Sequence, residues 1–202
     1  MQTRKYIKCE RFPCSDVRHE GYLTPDIDVK PNRISIILIS EAAPADPDDY
    51  YYAEGDPLFQ QTTIQAFNDA GVSVSSVQDI LGLGVYLTTA VKCAKTNYGL
   101  KASTVKECSL ILEQELALFP KVKAYLLMGD VAIKAVNYIA ERAGEGRVIP
   151  SGSTYKIRGR EYFFRGKRTF PSYLQAGPSF FIEKSKRKMI AEDIASALGL
   201  VK

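Results

Sequence analysis

Ile34-Ser35-Ile36-Ile37-Leu38-Ile39 is a short, nearly continuous apolar run, and it constrains the fold more than any other stretch. It reads as a strand buried on both faces, which requires cover from both sides of its sheet. The chain supplies that cover in alternation. Val85–Ala90 and Lys123–Met128 read as further strands, and Pro57–Ala70, Thr104–Phe119 and Asp130–Arg142 as helices between and after them. Thr104-Val105-Lys106-Glu107 has the form of a capping box, which predicts that a helix begins there with Cys108 in its first turn. A hairpin is expected at Tyr155–Arg168, turning near Gly159, and a last helix at Glu183–Leu198. The predicted fold class is α/β: a three-layer α/β/α sandwich with a central, mainly parallel sheet. With 46% apolar residues, the 202-residue chain has enough core for one domain, residues 1–202, led by an irregular segment at 1–33.

Four cysteines are present: Cys9 and Cys14 in the leading segment, Cys93 after the central strand, and Cys108. The first residues carry no apolar run and no segment approaches the length of a membrane span, so a cytoplasmic chain is expected, in which disulfides are disfavoured. A four-thiolate site holding Zn²⁺ or an iron–sulfur cluster remains open beside inert core thiols. The spacings, Cys9-x4-Cys14 and Cys93-x14-Cys108, lack the tight knuckles usual for structural zinc.

The net charge of +4 is too small to name a partner. Its distribution is uneven. Lys156–Arg168 and Lys184–Lys188 gather basic residues late in the chain, as a polyanion-facing edge or an ordinary solvated face would. In open sheets of this class a ligand binds beyond the carboxyl ends of the strands, which would bring together Glu41, Thr89, Gly129 and Phe170-Pro171-Ser172. Glu41 follows a buried strand, where a carboxylate serves chemistry or merely solvates a loop. His19 is the chain's one histidine and lies in the leading segment.

Taken in order, five segments resemble the successive motifs of the uracil-DNA glycosylase superfamily, most closely its iron–sulfur-bearing bacterial and archaeal families 4 and 5. They are Ser40-Glu41-Ala42-Ala43-Pro44, Gly55-Asp56-Pro57-Leu58-Phe59, VYLTTAVKC ending at Cys93 with Cys108 beyond, the stretch from Pro120 to Ala132, and Phe170-Pro171-Ser172-Tyr173-Leu174. Those families show GEAPG, GxPF, VYITNVVKCRPP with a later cysteine, PKxIxxLGxxA and HPAYLL. The likeness runs from about Cys9 to Asp193.

The resemblance implies a [4Fe–4S] cluster on Cys9, Cys14, Cys93 and Cys108, with zinc as the alternative, in a monomer that binds DNA and no membrane. It implies that Glu41 positions water, that Phe59 stacks on a flipped base, and that Thr89, Phe170 and Ser172 line the base pocket. Leu174 falls in a loop that wedges into the DNA stack, and Lys184, Lys186, Arg187 and Lys188 follow it toward phosphates. Two positions depart from the pattern. Thr89 stands where the family has a base-reading Asn, and Phe170 where it has a histidine that stabilises the leaving base. Losing such a donor costs roughly 10²–10³ in rate, so uracil excision is expected to be weak or redirected. Three functions follow: a DNA glycosylase of altered base preference, a non-catalytic relative that binds DNA or a nucleotide, and an iron–sulfur protein with a small-molecule pocket.

Overall fold

A computed structural model describes residues Met1–Val201. Six strands run along the chain: β1 Val17–Arg18, β2 Ile36–Ala43, β3 Val85–Lys95, β4 Ala124–Met128, β5 Tyr162–Phe164 and β6 Lys167–Ser172. The helices are α1 Leu58–Asp69, α2 Val77–Gly82, α3 Ala102–Leu116, α4 Asp130–Arg142, α5 Thr154–Ile157, α6 Ser179–Ile182 and α7 Lys184–Gly199. They form one α/β architecture around a single sheet of order β1-β3-β2-β4-β6-β5.

The sheet is mixed, where a mainly parallel one was expected: its centre is parallel and its two edges are not. β3, β2, β4 and β6 are parallel neighbours, while β1 and β5 run antiparallel at the two edges. The cause is local at β5. Arg165 and Gly166 both take left-handed φ, 50° and 72°, and a two-residue turn of that kind returns the chain beside itself. The hairpin thus turns there and not near Gly159, whose place is taken by the end of the short helix α5.

Successive side chains of β2 point to opposite faces, and the core divides accordingly. Ile37 and Ile39 pack with Val105 and Leu112 of α3 and Val136 and Ile139 of α4. Ile36 and Leu38 pack with Phe67 of α1, Ile80 of α2 and Ile190 and Ile194 of α7. α2 begins with a full capping box between Ser76 and Asp79. Among the described residues, no helix is long and apolar enough to cross a membrane.

One edge needs a separate cover. β1 pairs with β3 only at Ala94 and Lys95. Further back, the Tyr52 hydroxyl donates to the Leu87 carbonyl at 2.9 Å and accepts from the Leu87 N–H at 3.1 Å. The Leu23 N–H donates to the Lys92 carbonyl at 2.7 Å. Side-chain and loop groups therefore satisfy an edge that the short β1 leaves open.

Candidate functional site

The four thiols gather on the flank formed by the leading segment, the end of β3 and α3. Cys93 lies inside β3, and Cys108 in the second turn of α3, because that helix starts at Ala102 and not at Thr104. The expected Thr104 cap gives way to a remote one. Asp16 accepts from the Lys101 N–H at 2.6 Å and from the Thr104 hydroxyl, which ties the Cys9–Cys14 segment to the start of α3. Burial works to raise the Asp16 carboxyl, but these hydrogen bonds outweigh it and hold the group below its ordinary range. His19 serves the same segment: its Nε2 lies 2.7 Å from the Cys14 carbonyl oxygen, to which it donates, and its ring packs on Phe12.

Burial, reinforced by the neighbouring thiols, pushes Cys93 up to about 12 and Cys108 up to about 11. Each of these cysteines also feels Cys9 and Cys14, so the four groups are electrostatic neighbours. A cavity of about 790 Å³ is lined by Cys9, Cys14 and Cys108 together with Lys8 and Arg11. Among the described residues, no three His, Cys, Asp or Glu side chains stand close enough to hold one metal ion. The thiols share a flank, then, without the tight tetrahedron that a single zinc requires, with Zn–S of about 2.3 Å.

Beneath this flank lies an ion pair that the sequence reading missed. Lys92 and Glu115 both have side chains with 0% exposure, and they are in direct contact. Lys92 Nζ also donates to Thr88 Oγ1 at 2.7 Å and to the Thr89 carbonyl at 2.6 Å. Glu115 accepts in addition from the hydroxyls of Tyr86 and Thr88, both at 2.8 Å. Every charge is matched, as burial at that depth demands.

Glu41 lies within β2, which runs on to Ala43, so the carboxylate is held by the sheet and not by the loop after it. Its side chain is 18% exposed, with Lys95 Nζ 3.4 Å from Oε2. Gly129, at φ 98°, stands against it as the residue before α4. A Cβ placed on Gly129 would fall 2.6 Å from Glu41 Oε1, so only glycine leaves room for this carboxylate. The carboxylate thus rests near the positive end of the α4 dipole.

Thr89 pairs in register with Ser40 on the α1 side of the sheet. Phe59, on α1, packs on Tyr51 with ring centroids 5.2 Å apart. Phe170, in β6, is 7% exposed, with the Arg168 guanidinium 4.5 Å over its ring. Ser172 is fully buried and donates to Asp193 of α7 at 2.6 Å. Burial raises the Asp193 carboxyl, against the opposing contacts of Arg158 and Ser172. Thr89 and Ser172 both have 0% exposure, so in this structure they belong to packed interior. A buried polar knot joins the same region: Gln175 Nε2 donates to Tyr51 Oη at 2.8 Å and to Ser40 Oγ at 3.0 Å, with Thr63 Oγ1 at 3.3 Å. Gln175 stands one residue past the last recognisable motif, where no local pattern marked it.

Two hydroxyls beside this knot are unengaged. Tyr50 Oη and Thr89 Oγ1 are buried without a hydrogen-bond partner. The Thr89 hydroxyl eases ionisation of the Tyr50 phenol, so the two stand near one another with no third partner. Burial dominates, with Glu115 adding to it, and keeps the Tyr50 phenol well above its ordinary range.

Of the expected DNA-facing residues, Leu174 is half-buried, and Lys184 and Lys188 are exposed on α7. Arg187 pairs with Asp69 at 2.8 Å and Lys186 with Glu183 at 2.6 Å. A cavity of about 430 Å³ lies between Asp69 and the basic start of α7.

No family model matches the chain. A type-5 uracil-DNA glycosylase of Thermus thermophilus is 36% identical over 58 residues, which cover 29% of this chain and 26% of that protein. The chain therefore matches about a quarter of that relative's length, and its similarity to a uracil-DNA glycosylase is partial.

Proposed function

We propose that the chain is a DNA glycosylase-type hydrolase that cleaves the N-glycosidic bond of a nucleotide turned out of the base stack. One observation carries the reading: Glu41 is held by β2 at the carboxyl end of the parallel strands, in a notch that the missing side chain of Gly129 leaves open. The partial similarity to a type-5 uracil-DNA glycosylase supports it. In this reading Glu41 takes a proton from water as the water oxygen bonds to C1′, and the base leaves with the glycosidic electron pair. Phe59 stacks on the base, Phe170 borders it with Thr89 and Ser172 packed behind, Leu174 enters the stack, and Lys184, Lys186, Arg187 and Lys188 meet phosphates. The test is base release, by protein purified without oxygen, from duplex and single-stranded oligonucleotides carrying a panel of damaged bases. Slow or absent release of uracil and faster release of another base is the expected result. No release of any base would favour the second reading, a non-catalytic DNA-binding relative, for which Phe170 speaks because its ring has no donor for a leaving base.

Cys9, Cys14, Cys93 and Cys108 are the residues that would hold a [4Fe–4S] cluster. Each thiolate would bind a different iron, so the sulfurs would stand farther apart than around one zinc. When bound, such a cluster cross-links the leading segment to β3 and α3. Protein purified without oxygen is expected to be brown, with about four irons per chain. Zinc in place of iron, or colour retained after serine replaces any two of the four cysteines, would count against this assignment.

A further inference from the structure

Glu41 has an amine beside it, and an irregularity in the sheet brings that amine within reach. Lys95, the last residue of β3, donates from Nζ to Glu41 Oε2 at 3.4 Å. Along the β2–β3 ladder Ala42 faces Val91 but Ala43 faces Ala94, so over that step β3 carries two residues more than its partner. The bulge draws Lys95 toward Glu41 by those two residues, about 7 Å of strand. Val17 of β1 pairs with Lys95 on its other side, which fixes the backbone of the lysine within the sheet. Both side chains stay partly open, Lys95 at 31% and Glu41 at 18%, so one bound sugar can meet the two together. Lys92, the other lysine of β3, is sealed inside with Glu115. The motif that VYLTTAVKC resembles continues with Arg-Pro-Pro, whereas Ala94-Lys95-Thr96 follows here, so the amine is this chain's own.

We propose that Lys95 is a second catalytic residue of this site, an amine that captures the sugar aldehyde left by base loss and cleaves the DNA strand on its 3′ side. The inference rests on the base-excision reading, which places C1′ at Glu41. An abasic deoxyribose opens to an aldehyde at C1′, the class of carbonyl with which a lysine forms a Schiff base. Lys95 passes one proton to Glu41 along their contact, and Nζ bonds to C1′ with the electron pair this frees. Glu41 returns that proton to the C1′ hydroxyl, which leaves as water, and an iminium joins Nζ to the sugar. The carboxylate then takes a proton from C2′. The C–H electron pair becomes a carbon–carbon double bond as the C3′–O bond breaks, and the phosphate departs with the electrons of that bond. Water adds to C1′ and releases Lys95 from an unsaturated aldehyde.

The test uses the full chain, purified without oxygen, and duplex and single-stranded oligonucleotides that carry one abasic deoxyribose from the outset. Sodium borohydride delivers hydride to the imine carbon and leaves a secondary amine, which water cannot reverse. A covalent protein–DNA complex is expected with borohydride, and strand cleavage 3′ to the abasic site without it. After proteolysis, mass spectrometry is expected to find the adduct on Lys95. Lys95→Arg keeps a cation against Glu41 but offers no amine that can give up its proton, so trapping and cleavage should each fall by about tenfold or more. The mapping is done on the wild type and so does not depend on how a variant folds. No trapped complex, or an adduct on another lysine or on the N-terminus, overturns the proposal. Because the abasic site is supplied ready-made, either result leaves base excision standing. An adduct on Lys95 with no base released from any damaged oligonucleotide upholds the amine and overturns the glycosylase reading.

Discussion

Replacing Lys92 by Met, or Glu115 by Leu, is expected to destabilise the protein by about 3–5 kcal/mol, the cost of leaving its partner's charge buried and unpaired. Both side chains are fully inside, with no water at hand to solvate a survivor. The double replacement should cost clearly less than the sum of the two, since it removes both charges at once. It should still fall short of wild type, because the hydroxyls of Tyr86 and Thr88 then lose the acceptor they share. Glu115→Gln separates the two contributions: it keeps an acceptor for those hydroxyls but removes the charge. Denaturant unfolding of the four variants measures all of this. Additive losses would mean that Lys92 and Glu115 do not depend on one another.

Glu41→Gln is expected to slow base release by about 10²–10⁴ while leaving DNA affinity unchanged, the signature of a group that acts on the proton of the attacking water. The replacement preserves shape, so the Gly129 notch still accepts it. Gly129→Ala probes the notch itself. Its Cβ must displace the carboxylate or the backbone, and a left-handed φ strains any side chain there, so activity and stability should fall together. Single-turnover kinetics beside equilibrium binding reads both variants. Full activity in Glu41→Gln would reduce Glu41 to a solvated end of β2.

What the sequence revealed, and what it hid, follows the range of the forces involved. β4 and the helices α1, α4 and α7 fall within a residue or two of their expected positions, because apolar periodicity is a local signal. β3 runs five residues past its expected end, so Lys92 and Cys93 are within the strand. A lysine after an apolar run looks like the exit from a sheet, and only a glutamate on a distant helix makes it a buried one. The Thr104 capping pattern misled for the same reason, since the group that serves the helix start, Asp16, is 85 residues away from the backbone it caps. Arg165 conceals the hairpin turn, as nothing in an arginine announces a left-handed φ. At the candidate site, Glu41 and the four cysteines were legible as residue types in a recognisable order. Tyr50, Tyr51 and Gln175 were not, because each matters through what it meets across the sheet.

The Tyr52 hydroxyl and the Leu23 amide, which close the exposed side of β3, bear on how the protein behaves in a crowded solution. Unpaired strand edges invite other chains to add on, and here the shield is a few groups from loops and the leading segment, where a full strand would ordinarily serve. That segment is also the one that Cys9 and Cys14 would anchor. Damage to the thiol flank would therefore threaten solubility along with any local chemistry, by uncovering a ready template for self-association.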